Sequence, residues 1–350
     1  MLLFRYILFL YTTTIYAEVH IKQQNNVQKI LHETLKKERT SPPSIKIPYK
    51  KEYGDVTVNP HNFTFISQPE PCEGNETILV TAHSATQNFQ RRSALRNTWA
   101  NPIILEKYLP KGHQSKLIFI LGLPSNSSEQ TLINYEQEMY GDLVQVNFMD
   151  HYRNNTYKAI YNMKWISSYK GCPKAKLVVK VDDDVIFNLQ AFSSFFKNFT
   201  DTLGDSFKLS SYFIAGNIGE SGRPQRDPAS KWYLSRKDYK YDTFPMWLQG
   251  LTYFLSPRLA KEIYNLSFTT PYIFTDDVYV GIVAGRVDEI RKYPFNQFYS
   301  NSFSRLAKQS KYWNKKPYVF YHSHSIEDFF RLWCLSCNPA TCDWCSQAKV

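Results

Sequence analysis

Between Thr77 and Ala284, short apolar runs alternate with longer segments whose apolar positions recur every three or four residues. The short runs predict strands at Thr77–Ala82, Lys116–Leu121, Leu143–Phe148 and Leu177–Val181. The helical periodicity predicts helices over Gln90–Trp99, Glu129–Tyr140, Thr156–Tyr169 and Leu189–Phe199. Strand and helix in strict alternation imply an α/β fold, with a mainly parallel central sheet and helices on both faces. After Ser210 the pattern loosens. Tyr212–Gly216 and Lys231–Leu234 read as short strands, Pro257–Tyr264 and Asp276–Ala284 as helices. Residues 18–75 are polar and basic, and Ser41-Pro42-Pro43 and Pro48 break their periodicity. They predict a stem or linker, with a short helix around Val27–Lys37. The expected organisation is an N-terminal apolar segment (1–17), the stem, a folded domain (76–333) and a Cys-rich tail (334–350).

The Leu177–Val181 strand ends in Asp182-Asp183-Asp184. Three anions cannot follow the strand into a core, because unpaired buried charge is too costly. They belong at the strand's C-terminal end, the edge where open α/β sheets bind ligands. Clustered carboxylates there suit a hard divalent cation, which in turn can hold a diphosphate. The plainer alternative is an acidic turn that closes a strand.

Other segments offer chemistry of their own. Arg92 and Arg96 lie four apart on one helix face, able to hold a phosphate or to organise acidic residues at the sheet edge. Thr275 can cap a helix whose first turn carries Asp276 and Asp277, and one of the two could act as a general base. His322 and His324 end an apolar run, and one of them could ligate a metal. Phe244–Tyr253 is aromatic-rich, read as a loop whose rings stack on sugars or fill the core.

Composition narrows the class. A chain of 350 residues that is 43% hydrophobic and 16% aromatic can bury a large core. The net charge of +11 is scattered, without a basic block or a recognition motif, which argues against nucleic acid as partner. Residues 1–17 carry only Arg5 as a charge and read as a signal anchor or a cleaved signal peptide, either of which sends the remainder into the secretory lumen. Asn62, Asn75, Asn126, Asn154, Asn198 and Asn265 stand in glycosylation sequons, as a lumenal chain would use. The cysteines are Cys72, Cys172 and the cluster Cys334, Cys337, Cys342 and Cys345. In that compartment they favour disulfides, with zinc as the alternative for the cluster.

Read in order, Arg92-X3-Arg96-X-Thr98-Trp99, Lys180-X-Asp182-Asp183-Asp184-Val185, the block from Phe244 to Ser256, Asp276-Asp277-Val278-Tyr279-Val280-Gly281, and His322 ahead of Trp333 resemble glycosyltransferase family 31. These are the Golgi β-1,3-galactosyltransferases and β-1,3-N-acetylglucosaminyltransferases. The resemblance implies a GT-A-type fold, a UDP-sugar donor, Mn2+ or Mg2+, and inverting transfer to a sugar hydroxyl on a glycoprotein or glycolipid. It also implies a single-pass type II Golgi membrane protein, secretion after signal cleavage being the alternative. By residue, it places the metal on Asp184 and His322. Donor contacts fall to Arg92, Arg96, Lys180, Asp182, Asp183, Trp247 and Gly250. The base is Asp277, or less favourably Asp276. Trp247 stands where the family usually has Tyr, and Thr252 where it has a second glycine. These departures leave open galactose against N-acetylglucosamine, and an alternative as a catalytically silent carbohydrate-binding member.

Overall fold

The computed structural model describes residues 56–204, 211–295, 299–300 and 319–336. The apolar N-terminus, the expected Val27–Lys37 helix and most of the Cys-rich tail lie outside these residues.

Eight strands form the central sheet: β1 (Phe65–Ser67), β2 (Glu76–His83), β3 (Gln114–Leu123), β4 (Leu143–Met149), β5 (Leu177–Asp182), β7 (Phe213–Gly219), β8 (Trp247–Leu255) and β9 (Arg291–Pro294), in the order β1-β4-β3-β2-β5-β8-β7-β9. The run β4-β3-β2-β5 is parallel, and β8 enters antiparallel between β5 and β7. A smaller sheet joins β6 (Val185–Phe187), β10 (Tyr299–Ser300) and β11 (Phe320–His322) in the order β10-β11-β6. The chain steps outward from β2 to β3 to β4, then crosses back to place β5 on the other side of β2. That reversal opens a crevice at the carboxyl ends of β2 and β5.

The helices are α1 (Phe89–Arg96), α2 (Pro102–Glu106), α3 (Ser127–Tyr140), α4 (Asn155–Ser167), α5 (Leu189–Leu203), α6 (Pro257–Ser267), α7 (Asp276–Ala284) and α8 (Ile326–Ser336). They cover both sheet faces. Ile78, Val80 and Ala82 of β2 face one core with residues of α1, α5 and α8, whereas Leu79 faces the other with residues of α4, α6 and α7. Strands buried on both sides read as continuous apolar runs, which is why the first four were legible. Much of the aromatic content goes into the first core, where Phe192, Phe195, Phe254, Phe295 and Phe320 pack ring against ring.

Three expectations need correction. Lys231–Leu234 is not a strand: Asp227 accepts from Ala229 N (3.0 Å), and Tyr233 N donates to Ser230 O (3.0 Å), so the stretch is a chain of turns. The Phe244–Tyr253 block is not a loop from Trp247 onward, because Thr252 and Leu255 pair with Val181 and Val178 as part of β8. From Thr252 to Leu255 β8 is buried between two other strands, so that half of its sequence lacks a polar alternation. Third, the described end of the expected stem lies on the domain. Phe65 pairs with Val146, Asn59 donates to Ser267 O (3.0 Å), and Cys72 is disulfide-bonded to Cys172. Such single anchors leave no periodic trace.

Candidate active site

The register of β2 and β5 sets Thr81 opposite Lys180 and His83 opposite Asp182, all on the α4/α7 side. Lys180 is fully buried. Its Nζ donates to Asp182 Oδ1 (2.6 Å) and to Gly250 O (2.7 Å), tying the ends of β5 and β8 together. Its ammonium stays charged despite burial, because Asp182 and Asp276 lie beside it. Asp183 turns inward, where its Oδ2 accepts from Ser84 Oγ (2.7 Å) and Asn88 Nδ2 (2.9 Å). Burial raises its pKa above the ordinary carboxylate value.

Asp184 begins the small sheet. The β6–β11 pairing sets His322 opposite Val185, and Ser323 N donates to Asp184 O (2.8 Å). His322 Nε2 thereby lies 3.1 Å from Asp184 Oδ2. Hydrogen bonding to that carboxylate raises the His322 pKa. Asp184 Oδ1 is buried without a hydrogen-bond partner. His324 is exposed, its ring stacked edge-on to His322, and does not share this position. Two donor atoms held at right angles on one hard ion at about 2.1 Å each would stand about 3.0 Å apart. The Asp184–His322 spacing and the orphaned oxygen therefore fit a divalent cation. No larger group of ligating side chains gathers among the described residues, so the pair supplies only part of a shell.

Asp276 and Asp277 open α7 with Thr275 at the N-cap position, but contrary to expectation the Thr275 hydroxyl makes no capping hydrogen bond. Asp276 Oδ2 lies 3.7 Å from His83 Nδ1. On the other side of that ring, Asn162 Nδ2 stands 3.3 Å from His83 Nε2. Burial, with Lys180 nearby, pushes His83 down to about 3, so the imidazole is neutral. Burial opposes the charge on Asp276, but His83 and Lys180 outweigh it and hold the carboxyl near 2. Asp277 differs: burial and the Asp276 charge lift it to about 6. Its Oδ1 accepts from its own neighbour Val278 N (2.8 Å). Its Oδ2 lies over Gly250, where a Cβ would come within 3.1 Å of it. Gly281, one turn on, lets α7 rest on β8, since a Cβ there would meet Trp247 Cα at 2.7 Å.

Several expected donor contacts fall elsewhere. Arg92 is fully buried, and all its donors are engaged by Glu136, Ser84 Oγ, Ala85 O and Thr86 O. Arg96 is held by Glu136 and Asp142, between the rings of Phe119 and Tyr140. A direct donor contact does not fit either arginine. They brace the Ser84–Thr86 loop that in turn holds Asp183, which is the second of the two roles their spacing allowed. Lys180 and Asp183 are likewise committed internally. Asp182, with its side chain 38% exposed, and Gly250 remain at the open edge. The Trp247 ring is partly buried against Gly219 and Gly222, its Nε1 without a partner. Trp99 is structural: its Nε1 donates to Val185 O (2.9 Å) and its ring stacks on Phe187 at 3.9 Å, supporting the strand beside Asp184.

The residue sequence reasoning passed over is Arg91. Its guanidinium lies 3.7 Å from Asp184 Oδ2, and its Nη1 has no hydrogen-bond partner. Adjacent helical residues point about 100° apart. If Arg92 faces the core, Arg91 must face the carboxylate edge, and the apolar neighbours Ala94 and Leu95 carried that signal.

Comparison with known proteins identifies the family. The chain matches the profile of the family described as Galactosyltransferase over residues 90–294. It is 30% identical to beta-1,3-galactosyltransferase 1 of Mus musculus over 278 residues, covering 79% of each chain. It is 29% identical to beta-1,3-galactosyltransferase 5 of Homo sapiens over 240 residues, covering 68% of this chain and 72% of that one. A solved glycosyltransferase involved in glycosylation of the major capsid of PBCV-1 aligns over 73% of this chain and 98% of its own, at 12% identity and a TM-score of 0.34, too distant to carry an argument. The chain belongs to the galactosyltransferase family, glycosyltransferase family 31, and is a glycosyltransferase.

Proposed function

We propose that this protein transfers galactose from UDP-galactose to a glycan hydroxyl in β-1,3 linkage, with inversion and with a divalent cation. The observation that carries this reading is the separation of two acidic centres. Asp184 pairs with His322 at 3.1 Å, while Asp277 stands apart on α7 with its pKa lifted to about 6. An inverting displacement needs one base and no covalent intermediate, and a base of that strength is ionised at neutral pH yet able to take a proton. Asp276 is a poorer candidate, because His83 and Lys180 hold its charge too firmly.

Asp184 and His322 would hold Mn2+ or Mg2+, which when bound neutralises the donor diphosphate. Arg91 supplies a guanidinium on the same side for the phosphate oxygens. Asp182, at the open end of β5 with one oxygen on Lys180, would meet donor hydroxyls with the other. Asp277 takes the proton of the acceptor hydroxyl, and Gly250 leaves the space in which its carboxylate stands. Galactose as donor is favoured by the relatives, which are beta-1,3-galactosyltransferases.

The setting we propose is the Golgi lumen, with residues 1–17 as a type II anchor. A disulfide between Cys72 and Cys172 suits an oxidising compartment. Asn62, Asn75, Asn126 and Asn265 are exposed sequons, while Asn154 and Asn198 are half-buried. No helix among the described residues is long and apolar enough to cross a membrane, and residues 1–17 lie outside them.

The test is a donor screen. The purified lumenal portion is given UDP-galactose, UDP-N-acetylglucosamine and other UDP-sugars, an acceptor panel and Mn2+, and any product is taken to linkage analysis. A β-1,3-galactoside is expected. Transfer of N-acetylglucosamine instead would correct the donor, and binding without transfer under any condition would sink the enzymatic reading.

A further inference from the structure

Beside Asp276 and Asp277 two large aromatic side chains stand in the open. Trp232 is 52% exposed and Tyr152 46% exposed. Among the described residues Trp232 is the only exposed tryptophan; Trp99, Trp165 and Trp333 are buried and Trp247 half-buried. Exposing an indole forgoes much of the stabilisation that burying it brings. Neither ring serves the core, and no step of the proposed reaction uses them.

Their position is specific. Tyr152 sits in a single 3-10 turn, Tyr152–Asn154, that follows the carboxyl end of β4, on the ligand-binding edge of the sheet. Its ring lies 6.4 Å from that of Phe274, which stands two residues before Asp276. Its phenol is within electrostatic reach of Asp276, Asp277 and Asp182. Trp232 comes from the turn-rich segment after β7, and its side chain lies beside the Tyr152 hydroxyl. Lys231 lies over both rings, 5.8 Å from Tyr152 and 4.5 Å from Trp232.

The turn that carries Tyr152 is firmly held. His151 accepts from Arg153 N (3.2 Å), Asn154 Nδ2 donates to Met149 O (2.9 Å), and the Arg153 guanidinium covers Phe274 at 4.6 Å. The platform is thus preformed, so binding to it would order little further structure.

We propose that Trp232 and Tyr152, with Lys231 at their rim, form the acceptor-saccharide platform of this enzyme. A pyranose presents an apolar face of C–H groups that suits an aromatic ring, and an edge of hydroxyls that suits an ammonium and a phenol. A sugar seated there lies next to the carboxylate assigned as base, rather than at the Asp184–His322 side assigned to the diphosphate. This inference rests on the reading of the protein as a transferase with Asp277 as base. The platform itself can be tested without turnover.

The variants are Trp232→Ala, Trp232→Phe and Tyr152→Ala, all at exposed positions, with thermal melts to confirm folding. Two measurements are made. Saturation-transfer NMR follows binding of methyl β-galactoside, methyl β-N-acetylglucosaminide and lactose to the protein saturated with UDP and Mn2+. Steady-state kinetics separates acceptor KM from donor KM. Trp232→Ala is expected to lose saccharide binding and to raise acceptor KM by about tenfold, the scale of one aromatic contact, with donor KM held. Trp232→Phe should recover most of the loss, which a merely structural role would not predict. Unchanged saccharide binding and acceptor KM in both alanine variants would overturn the platform, as would a wild type that binds none of the three glycosides. Wild-type binding that Trp232→Ala abolishes, without transfer to any acceptor, would keep the platform and overturn the transferase reading.

Discussion

Replacing Asp277 by Asn tests the assignment of the base through two independent readouts. The amide is nearly isosteric and can still accept from Val278 N, so the start of α7 should survive. Turnover should fall by about 10²-fold or more, the usual scale for loss of a general base, with donor affinity nearly unchanged. The wild-type pH profile gives the first check. A base lifted from 3.8 to about 6 works only when ionised, so kcat/KM should be half-maximal near that value. At about pH 5 it should stand at about a tenth of its plateau, one unit being a factor of about ten. Asp276→Asn removes the neighbouring charge that lifts Asp277, so its acidic limb should move to lower pH. Stability gives the second check. A carboxyl whose folded pKa is raised holds its proton more tightly folded than unfolded, so it destabilises the fold above about pH 6 and not below about pH 4. The full shift of about two units corresponds to about 3 kcal/mol, and partial solvent screening reduces it to about 1–2 kcal/mol. Asp277→Asn should therefore melt about 2–4 °C above the wild type at neutral pH. The gap should close as pH falls through about 6. Differential scanning calorimetry across pH, beside steady-state kinetics, reads both effects. A wild-type profile flat down to about pH 5, or an Asn variant with near-normal turnover, would refute the assignment.

Asp184→Ala should abolish cation-dependent UDP binding in calorimetric titrations while the melting temperature changes little, because the carboxylate stands at an edge with one oxygen unpartnered; unchanged Mn2+-dependent affinity would sink that ligand. Arg92→Ala leaves Glu136 with Arg96 as its cation but removes the buried donor of Ser84, Ala85 and Thr86, and should cost about 3–5 kcal/mol in denaturant unfolding, whereas a loss confined to donor KM would restore the direct donor contact. Cys72→Ser with Cys172→Ser opens a link across 100 residues and should cost about 4–5 kcal/mol on a chain-entropy basis; equal stability of the paired variant and the parent would contradict it.

What could be read in the chain follows from how each feature is encoded. The strands β2 to β5 are buried on both faces and leave apolar runs that need no context. The helices between them carry their own periodicity, and Asn126 and Asn188 mark the starts of α3 and α5 by capping them. β8 was hidden because its partners are remote in sequence. Its place between β5 and β7 is fixed by tertiary pairing, its Trp247 ring packs against Gly219 and Gly222, and its Gly250 lies under the Asp277 carboxylate. The acidic motifs were legible as carboxylates at element ends. Which carboxylate faces the crevice was not, because that depends on a turn of about 100° per residue and on what lies across the gap. Arg92 and Arg91 show the limit most plainly. The spacing Arg92-X3-Arg96 is real, but it records a shared buried face around Glu136, and the arginine left over is the one at the cavity edge. His322 was recovered by resemblance. Its physical cause is the three-residue β6–β11 pairing, too short to announce itself in the sequence.

The edge concentrates Asp182, Asp183, Asp184, Asp276 and Asp277 around one crevice, and such crowding is unfavourable unless each charge is managed separately. Each is managed in a different way. Asp183 accepts two neutral hydrogen bonds and is turned inward. Asp182 is paired with the buried Lys180, Asp276 leans on the same lysine and on His83, and Asp184 faces His322 and Arg91. Asp277 has the N–H of Val278 and the space over Gly250 beside it, with Lys180 only as a lesser charge. Burial and the charge of Asp276 raise the pKa of the proposed base, and burial likewise raises Asp182, to about 7, and Asp183. Lys180 is linked to the carboxylates of the proposed site only from inside the sheet. Its charge steadies Asp182 and Asp276 from inside the sheet, and its bond to Gly250 O sets the strand over which the Asp277 carboxylate stands.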